Sequence, residues 1–363
     1  MTSRPLHALL LSATISLPLA GDASAAGPAC LQGVNLSGAE FGEGRGTYGK
    51  DYIYPSAATV DYFAGKGMNA ARLPFKWERL QPRLRKGFDA NELKRLREAV
   101  ALMRGRGMSV VLDPHNYARY NGEAIGSDAV PVAAFADFWQ RLAKEFSGDR
   151  AVLFGLMNEP YEMPAPQWLE AANGAIAAIR KAGAKNLILV PGTQWTGAHS
   201  WRAGIEGGSN AEVMSGVSDP LDHYAYEFHQ YLDEDFSGTH GDCPKSAEAA
   251  AAIADVSVWL RERGKKGFLG EFGVPASREC RDGLAALLGA LEKNGDAWIG
   301  WTYWAAGDWW PASEALNIQP TPEGDRPQLA TLSQAMARTK GQAGCAAQNP
   351  GVPGDSNLRL TIP

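Results

Sequence analysis

Eight short apolar runs, rich in β-branched or aromatic residues, recur along the chain and alternate with helix-like stretches. The runs cover residues 32–36, 70–74, 109–113, 152–158, 187–192, 224–229, 267–271 and 298–304. Segments of helical periodicity lie between them, among them 91–106, 132–146, 167–181, 246–263 and 281–293. Strands that are apolar on both faces belong in a parallel sheet, because helical crossovers cover it. Eight β/α units predict a closed (β/α)8 TIM barrel of class α/β, since an open doubly wound sheet usually has fewer strands. Such a barrel needs about 250 residues, and the chain has 363. The surplus falls in long loops, chiefly after strands one, three, five and six. Those loops extend the C-terminal face of the strands, where such barrels place their active sites.

At the N-terminus, Arg4 precedes an apolar run over 8–20, and Ala23-Ser24-Ala25 supplies a small-x-small cleavage pattern. The run is too short to span a bilayer, so residues 1–25 are expected to be a secretory signal peptide. The barrel is then expected as a single catalytic domain over 26–346, with the Pro-, Gly- and Asn-rich 347–363 as a tail. A hydrophobic share of 45% with 21% charged residues is globular composition and excludes disorder. No other apolar stretch reaches membrane-spanning length, so the mature protein is expected to be secreted and extracellular. A net charge of −5 without basic runs argues against nucleic acid or a membrane surface as partner. A monomer is expected.

The four cysteines fit the same topology. Cys243 and Cys280 follow strands six and seven, in neighbouring loops on the catalytic face. Cys30 precedes strand one and Cys345 follows the last helix, at the opposite face. Of three possible connectivities, only Cys243–Cys280 with Cys30–Cys345 avoids crossing the barrel, and export favours disulfides.

Two strand ends carry the chemistry. Strand four runs through Val152, Leu153 and Phe154 and then delivers Asn158-Glu159-Pro160; proline cannot continue a ladder, which leaves Glu159 at the rim. Strand seven delivers Glu271 after Phe268-Leu269-Gly270. Carboxylates at the C-terminal ends of two barrel strands converge on one pocket. Glycoside hydrolysis needs such a pair, one holding a proton for the leaving oxygen and one ionised to stabilise or attack the sugar carbon. Other strand ends ring them: Arg72 after strand two, Asp113-Pro114-His115-Asn116-Tyr117 after strand three, Glu227-Phe228-His229-Gln230-Tyr231 after strand six, and Trp301-Thr302-Tyr303-Trp304 at strand eight.

With these motifs the chain resembles glycoside hydrolase family 5, retaining enzymes that carry their catalytic glutamates on barrel strands four and seven. Gly33-Val34-Asn35-Leu36, Arg72-Leu73-Pro74-Phe75 and Gly270-Glu271-Phe272-Gly273 also match its pattern, and the resemblance covers roughly Cys30 to Cys345. It implies Glu159 as acid/base and Glu271 as nucleophile. It implies further that Asn158 holds the sugar 2-hydroxyl, that Arg72 and Tyr231 steady Glu271, and that His229 accompanies Glu159. His115 would bind the sugar beside the scissile bond, Trp304 would floor that subsite, and no cofactor or metal is implied. The segments around 113–117, 120–122 and 228–233 look most like endo-1,4-β-glucanases (cellulases), with mannanase or another β-glycanase as the alternative. An internally cut β-1,4-glucan is the expected substrate.

The 11 tryptophans divide by position. Trp77, Trp195, Trp201, Trp309 and Trp310 follow strand ends and are expected in loops over the cleft, where a flat indole can stack on sugar C–H faces. Trp195, then Trp77, are the expected substrate-binding residues among them. Trp139, Trp168, Trp259 and Trp298 are expected in the core. Three other readings lose ground. Gly44-Arg45-Gly46-Thr47-Tyr48-Gly49 has dinucleotide-fingerprint spacing, but no helix opens directly after it. His115, His223, His229 and His240 with Asp113 and Asp222 have no recognised metal-ligand spacing. A non-catalytic glucan-binding protein would be expected to have lost one of the two glutamates. The Asn35-Leu36-Ser37 sequon lies on strand one.

Overall fold

The computed structural model describes residues 30–204 and 207–339. Eight parallel strands close into a barrel: β1 Leu31–Leu36, β2 Ala70–Phe75, β3 Ser109–Pro114, β4 Val152–Gly155, β5 Ile188–Pro191, β6 Tyr224–His229, β7 Gly267–Glu271 and β8 Trp298–Ala306. Each strand pairs with its sequence neighbours, and β1 closes the ring on β8. The long helices are α1 Ala57–Gly65, α2 Ala90–Arg104, α3 Val132–Phe146, α4 Ala165–Lys181, α5 Ser246–Glu262, α6 Arg278–Lys293 and α7 Pro327–Thr339. The fold is the expected (β/α)8 barrel. No helix among the described residues is long and apolar enough to cross a membrane.

Local chemistry sets the helix limits. Ser56, Asp89 and Ser277 accept hydrogen bonds from the first-turn amides of α1, α2 and α6, satisfying donors that lack an intrahelical partner. Along α3, Phe135, Phe138, Trp139, Leu142 and Phe146 recur at intervals of three and four and are all buried, forming one apolar stripe against the barrel. Strand β4 is shorter than expected. Its ladder stops at Gly155, because β3 ends at Pro114 and β5 at Pro191. Leu156 and Asn158 still follow the wall through single bonds to Leu189 O and Pro114 O, both 3.0 Å.

Inside the barrel, period-2 alternation stacks the side chains in layers. The lowest is apolar: Leu31, Ala70, Val111, Leu153, Leu189, Ala225 and Phe268 pack together, one from each of β1 to β7. Two residues further along β2, β3 and β6 come Arg72, Asp113 and Glu227, all buried. The same step on β1, β4 and β7 reaches Gly33, Gly155 and Gly270. A charged layer thus sits on an apolar floor, with glycines leaving it room. The strand ends above it open toward the loops.

Cys243 and Cys280 form a disulfide with Cα atoms 5.2 Å apart, tying the loop after β6 to α6. The second expected pairing includes Cys345, which lies outside the described residues, as do the expected signal peptide and tail. The 44–49 loop is no dinucleotide turn: Arg79 holds it through bonds to Arg45 O at 3.0 Å and Gly44 O at 3.4 Å, and α1 begins only at Ala57.

Candidate active site

Arg72 is the centre of the construction. It is fully buried, and all three guanidinium nitrogens are engaged. Nη1 donates to Glu271 Oε1 at 2.7 Å and Asn35 Oδ1 at 3.0 Å, and lies 3.0 Å from Asp113 Oδ2. Nη2 donates to Asn158 Oδ1 at 2.8 Å, and Nε to Glu227 Oε1 at 3.0 Å. The register places Asn35 directly beside Arg72. Asn35 is buried and also donates to Gly270 O at 2.9 Å, so the sequon side chain is a structural member of the barrel. Burial opposes the guanidinium charge, but the surrounding carboxylates outweigh it and raise the pKa further.

The two rim glutamates meet across this cation. Glu271 accepts from Arg72 through Oε1 and from Tyr231 Oη through Oε2 at 2.9 Å. Glu159 lies on the opposite side with its Oε1 2.7 Å from His229 Nδ1. That same nitrogen is 3.6 Å from Glu271 Oε2, and one oxygen of each carboxylate lies within 4.8 Å of the other. Burial and the Glu271 charge hold the Glu159 carboxyl above its usual range, although its bond to His229 pulls the other way. Burial disfavours charge on His229, yet Glu271, Glu159 and Glu227 prevail and push it up to about 10. The Glu159–His229 pair therefore retains a proton through neutral pH. Glu159 has φ 39°, a left-handed backbone that costs about 1–3 kcal/mol in a non-glycine residue and aims its side chain into the cleft.

His115 completes the wall. Its Nδ1 is 2.8 Å from Asp113 Oδ2, and Asn158 Nδ2 donates to its Nε2 at 3.1 Å. Burial holds its pKa well below the usual value, so it is neutral with the proton on Nδ1. Burial likewise raises Asp113 to about 7, against the pull of Arg72. Trp304, half-buried at the end of β8, stacks on His115 with ring centres 5.4 Å apart and planes at 16°.

Arg72, His115, Asn158, Glu159, His229, Tyr231, Glu271 and Trp304 thus share one site. Trp195 stands at its margin: it is 51% exposed, stacks on Tyr161 at 5.1 Å, and its amide donates to Pro160 O at 3.1 Å. Arg119 lies over the other partner of that stack, 4.2 Å from the Tyr161 ring centre. Trp77 does not belong to the cleft. It opens a single helical turn, Trp77–Leu80, that folds outward onto α3, where it packs against Phe135 and Phe138 and is fully buried. Trp201 is buried too, against Phe228 and Trp259. Trp309 is 37% exposed, and Trp310 stands edge-on to Trp304 at 5.6 Å. Trp139, Trp168, Trp259 and Trp298 are buried, each with its indole N–H bonded.

The six residues weighed as metal ligands do not assemble. His115 and His229 are at the cleft, and His240 is with Asp233 and Asp235 in the loop after β6. Asp222 and His223 line a cavity of about 560 Å³ at the opposite mouth of the barrel. Asn35, Asp113 and Glu227 join the site through Arg72 although none is among the expected catalytic or binding residues, and Asp113 figures above only as a metal candidate. A charge within an otherwise apolar strand, two residues before a strand-end histidine, is the signal that marks Asp113 and Glu227.

Comparison with known proteins agrees with this geometry. The family model for cellulases, glycosyl hydrolase family 5, matches residues 25–307. Endo-beta-1,4-glucanase B of Aspergillus niger is 40% identical over 294 residues, which is 80% of this chain and 85% of that protein. Among solved structures, XacCel5A in complex with cellopentaose superposes with a TM-score of 0.83 at 49% identity, over 84% of this chain and 99% of that one. An endoglucanase of Pseudomonas stutzeri in complex with cellobiose gives 0.77 at 35% identity, over 85% and 93%. A closed barrel with two glutamates facing each other across a buried arginine, matched over most of its length by this model and these relatives, is a glycoside hydrolase, and the chain belongs to glycosyl hydrolase family 5.

Proposed function

We propose that the protein is an endo-1,4-β-glucanase that cuts internal bonds of cellulose-type glucans with retention of anomeric configuration. The observation that carries the mechanism is the short separation of Glu159 and Glu271, whose nearest oxygens lie within 4.8 Å. Retaining enzymes hold their carboxyls ~5–5.5 Å apart, whereas inverting ones leave room for a water between them. In this reading Glu271 attacks the anomeric carbon while Glu159 protonates the departing oxygen. The resulting ester is then hydrolysed by a water that Glu159 deprotonates. The contrast in surroundings supports these roles: two donors fix Glu271, and burial favours the protonated form of Glu159. In this reading Asn158 meets the sugar 2-hydroxyl, His115 and Trp304 hold the ring beside the scissile bond, and Trp195 stacks on a more distant ring.

The choice of glucan rests on the relatives, two of which are solved with cellopentaose and cellobiose. Secretion after removal of residues 1–25, a single catalytic domain over 26–346, a short tail and a monomeric state complete the proposal. The test is a panel of carboxymethylcellulose, lichenan, mannan and xylan, with product size and anomeric configuration read by chromatography and proton NMR. β-Configured cello-oligosaccharides of mixed length are expected. Faster cleavage of mannan would overturn the substrate, and α-configured first products would overturn retention. Glu271→Gln and Glu159→Gln proteins should fold and lose about 10³-fold or more of turnover. Near-normal rates in either would remove that residue from the mechanism.

A further inference from the structure

The charged layer contains two carboxylates that no step above uses, Asp113 and Glu227, and the second touches the partner of the acid. Glu227 lies inside β6, 1% exposed, with Oε1 3.0 Å from Arg72 Nε and 3.4 Å from His229 Nε2. It therefore touches both cations of the site and is closed off from solvent. Burying a carboxylate is costly unless it is paired. The fold makes room for this one. A Cβ on Gly270 would stand 2.2 Å from Glu227 Oε1, and one on Gly155 3.5 Å from Oε2. Because Gly270 precedes Glu271, its lack of a side chain links the place of the third carboxylate to the strand that carries the second.

We propose that Glu227 is a positioning residue that fixes the imidazole of His229 and the state of the Glu159 proton. An anion at Nε2 keeps a proton on that nitrogen, which leaves Nδ1 to face Glu159. A neutral His229 then accepts the Glu159 proton's hydrogen bond, as the acid step needs. With the same proton moved to Nδ1, His229 donates to the Glu159 carboxylate; the acid step spends this shared proton, and in the base step Glu159 takes one back from the attacking water. Either form is compatible with one fixed ring. The titratable and charged groups around this pair are Arg72 from β2, Asp113 and His115 at the end of β3, Glu159 after β4, Tyr231 after β6 and Glu271 on β7. Glu159 and Glu271 approach the ring at Nδ1, whereas Glu227 meets it at Nε2, 3.4 Å away. Burial disfavours its charge, but Arg72 and His229 overcome that and hold its pKa below the usual value, so it is an anion throughout the working range.

This inference rests on the proposed roles of Glu159 and Glu271. Its test is the Glu227→Gln protein, which keeps the shape and removes the charge. Three readouts are compared with wild type: the pH profile of kcat/KM on cellopentaose, the rate on a dinitrophenyl cellobioside, and the His229 titration by ¹⁵N NMR. On cellopentaose kcat should fall about 10²-fold with little change in KM, as for a disturbed proton donor. The alkaline limb should move at least one pH unit toward acid, because a removed anion makes the Glu159–His229 pair more acidic. The His229 titration should move the same way. The dinitrophenyl substrate, whose leaving group needs no proton, should lose far less in the attack step. Gly270→Ala, which drives a methyl into Oε1, should reproduce the shift and serves if Glu227→Gln does not fold. An unmoved alkaline limb and unmoved His229 titration would overturn the proposal while leaving the glucanase reading intact. A wild-type protein that cuts no glucan would instead defeat that reading.

Discussion

Replacing Arg72 by methionine should destabilise the protein in a way that depends on pH. The side chain is fully buried and lies 2.7–3.0 Å from three carboxylates, Glu271, Asp113 and Glu227. Removing one partner of a buried ion pair costs ~3–5 kcal/mol, because the remaining charge is left without compensation. Three anions are left here, so they would be expected to take up protons instead of remaining charged. Even with Arg72 present, burial raises Asp113 to about 7 from an ordinary 3.8. Without it the folded-state pKa values of these acids rise further above their unfolded values. Between about pH 4 and those raised values the folded state then binds more protons than the unfolded state, so stability falls as pH rises. Each extra proton contributes about 1.4 kcal/mol per pH unit across that window. The wild-type–variant gap should therefore be about 3–5 kcal/mol at pH 7.5 and much smaller at pH 4.5. Urea unfolding at both pH values, followed by tryptophan fluorescence, measures it. A gap that is equal at the two pH values, or below about 1 kcal/mol at pH 7.5, would refute the idea that Arg72 is the common counter-ion of this layer.

Two tryptophans that look alike in sequence should behave oppositely. Trp195→Ala should raise KM on long cello-oligosaccharides by about 3–10-fold, the worth of one aromatic contact, and leave the unfolding midpoint almost unchanged because the ring is half exposed. Trp77→Ala should cost about 3–5 kcal/mol of stability with no change in KM for the folded protein. An increase in KM without destabilisation for Trp77→Ala would return that residue to the cleft. Replacing Cys243 and Cys280 by serine opens a link across 37 residues and should cost about 4 kcal/mol by chain entropy. Equal midpoints for the two proteins, measured without reductant, would show that this loop is constrained by its packing alone.

The barrel and the two rim glutamates were legible because both depend on local patterns. Apolar runs at even spacing specify strands, and a polar residue followed by proline marks where Asn158-Glu159-Pro160 leaves the sheet. Trp77 was misplaced because position after a strand end says which face of the barrel a loop leaves from, not whether it folds inward or outward. Its direction is set by α3, whose Phe135 and Phe138 offer it an apolar seat far away in sequence. Glu227 was overlooked for a related reason. It sits within a strand, so it reads as one more wall residue until Gly270 on the neighbouring β7 and Gly155 on β4 show that space was left for it. The Trp195–Tyr161 stack joins loops after β4 and β5, and no single segment encodes it.

The charged layer also bears on how one carboxylate can serve as acid and then as base. On the proposed mechanism Glu271 loses its charge when it becomes an ester, so the field that held the proton on Glu159 weakens when Glu159 must give it up. If Glu271 were the sole anion at Arg72, that step would leave a buried cation uncompensated, which is costly in a barrel interior. Glu227 lies 3.0 Å from Arg72 and 3.4 Å from His229 and takes no part in the covalent step. A fixed anion beneath the site thus lets a transient one come and go above it. The swing in Glu159 acidity then follows from one charge at Glu271, and the cations that orient both glutamates stay in place through the cycle.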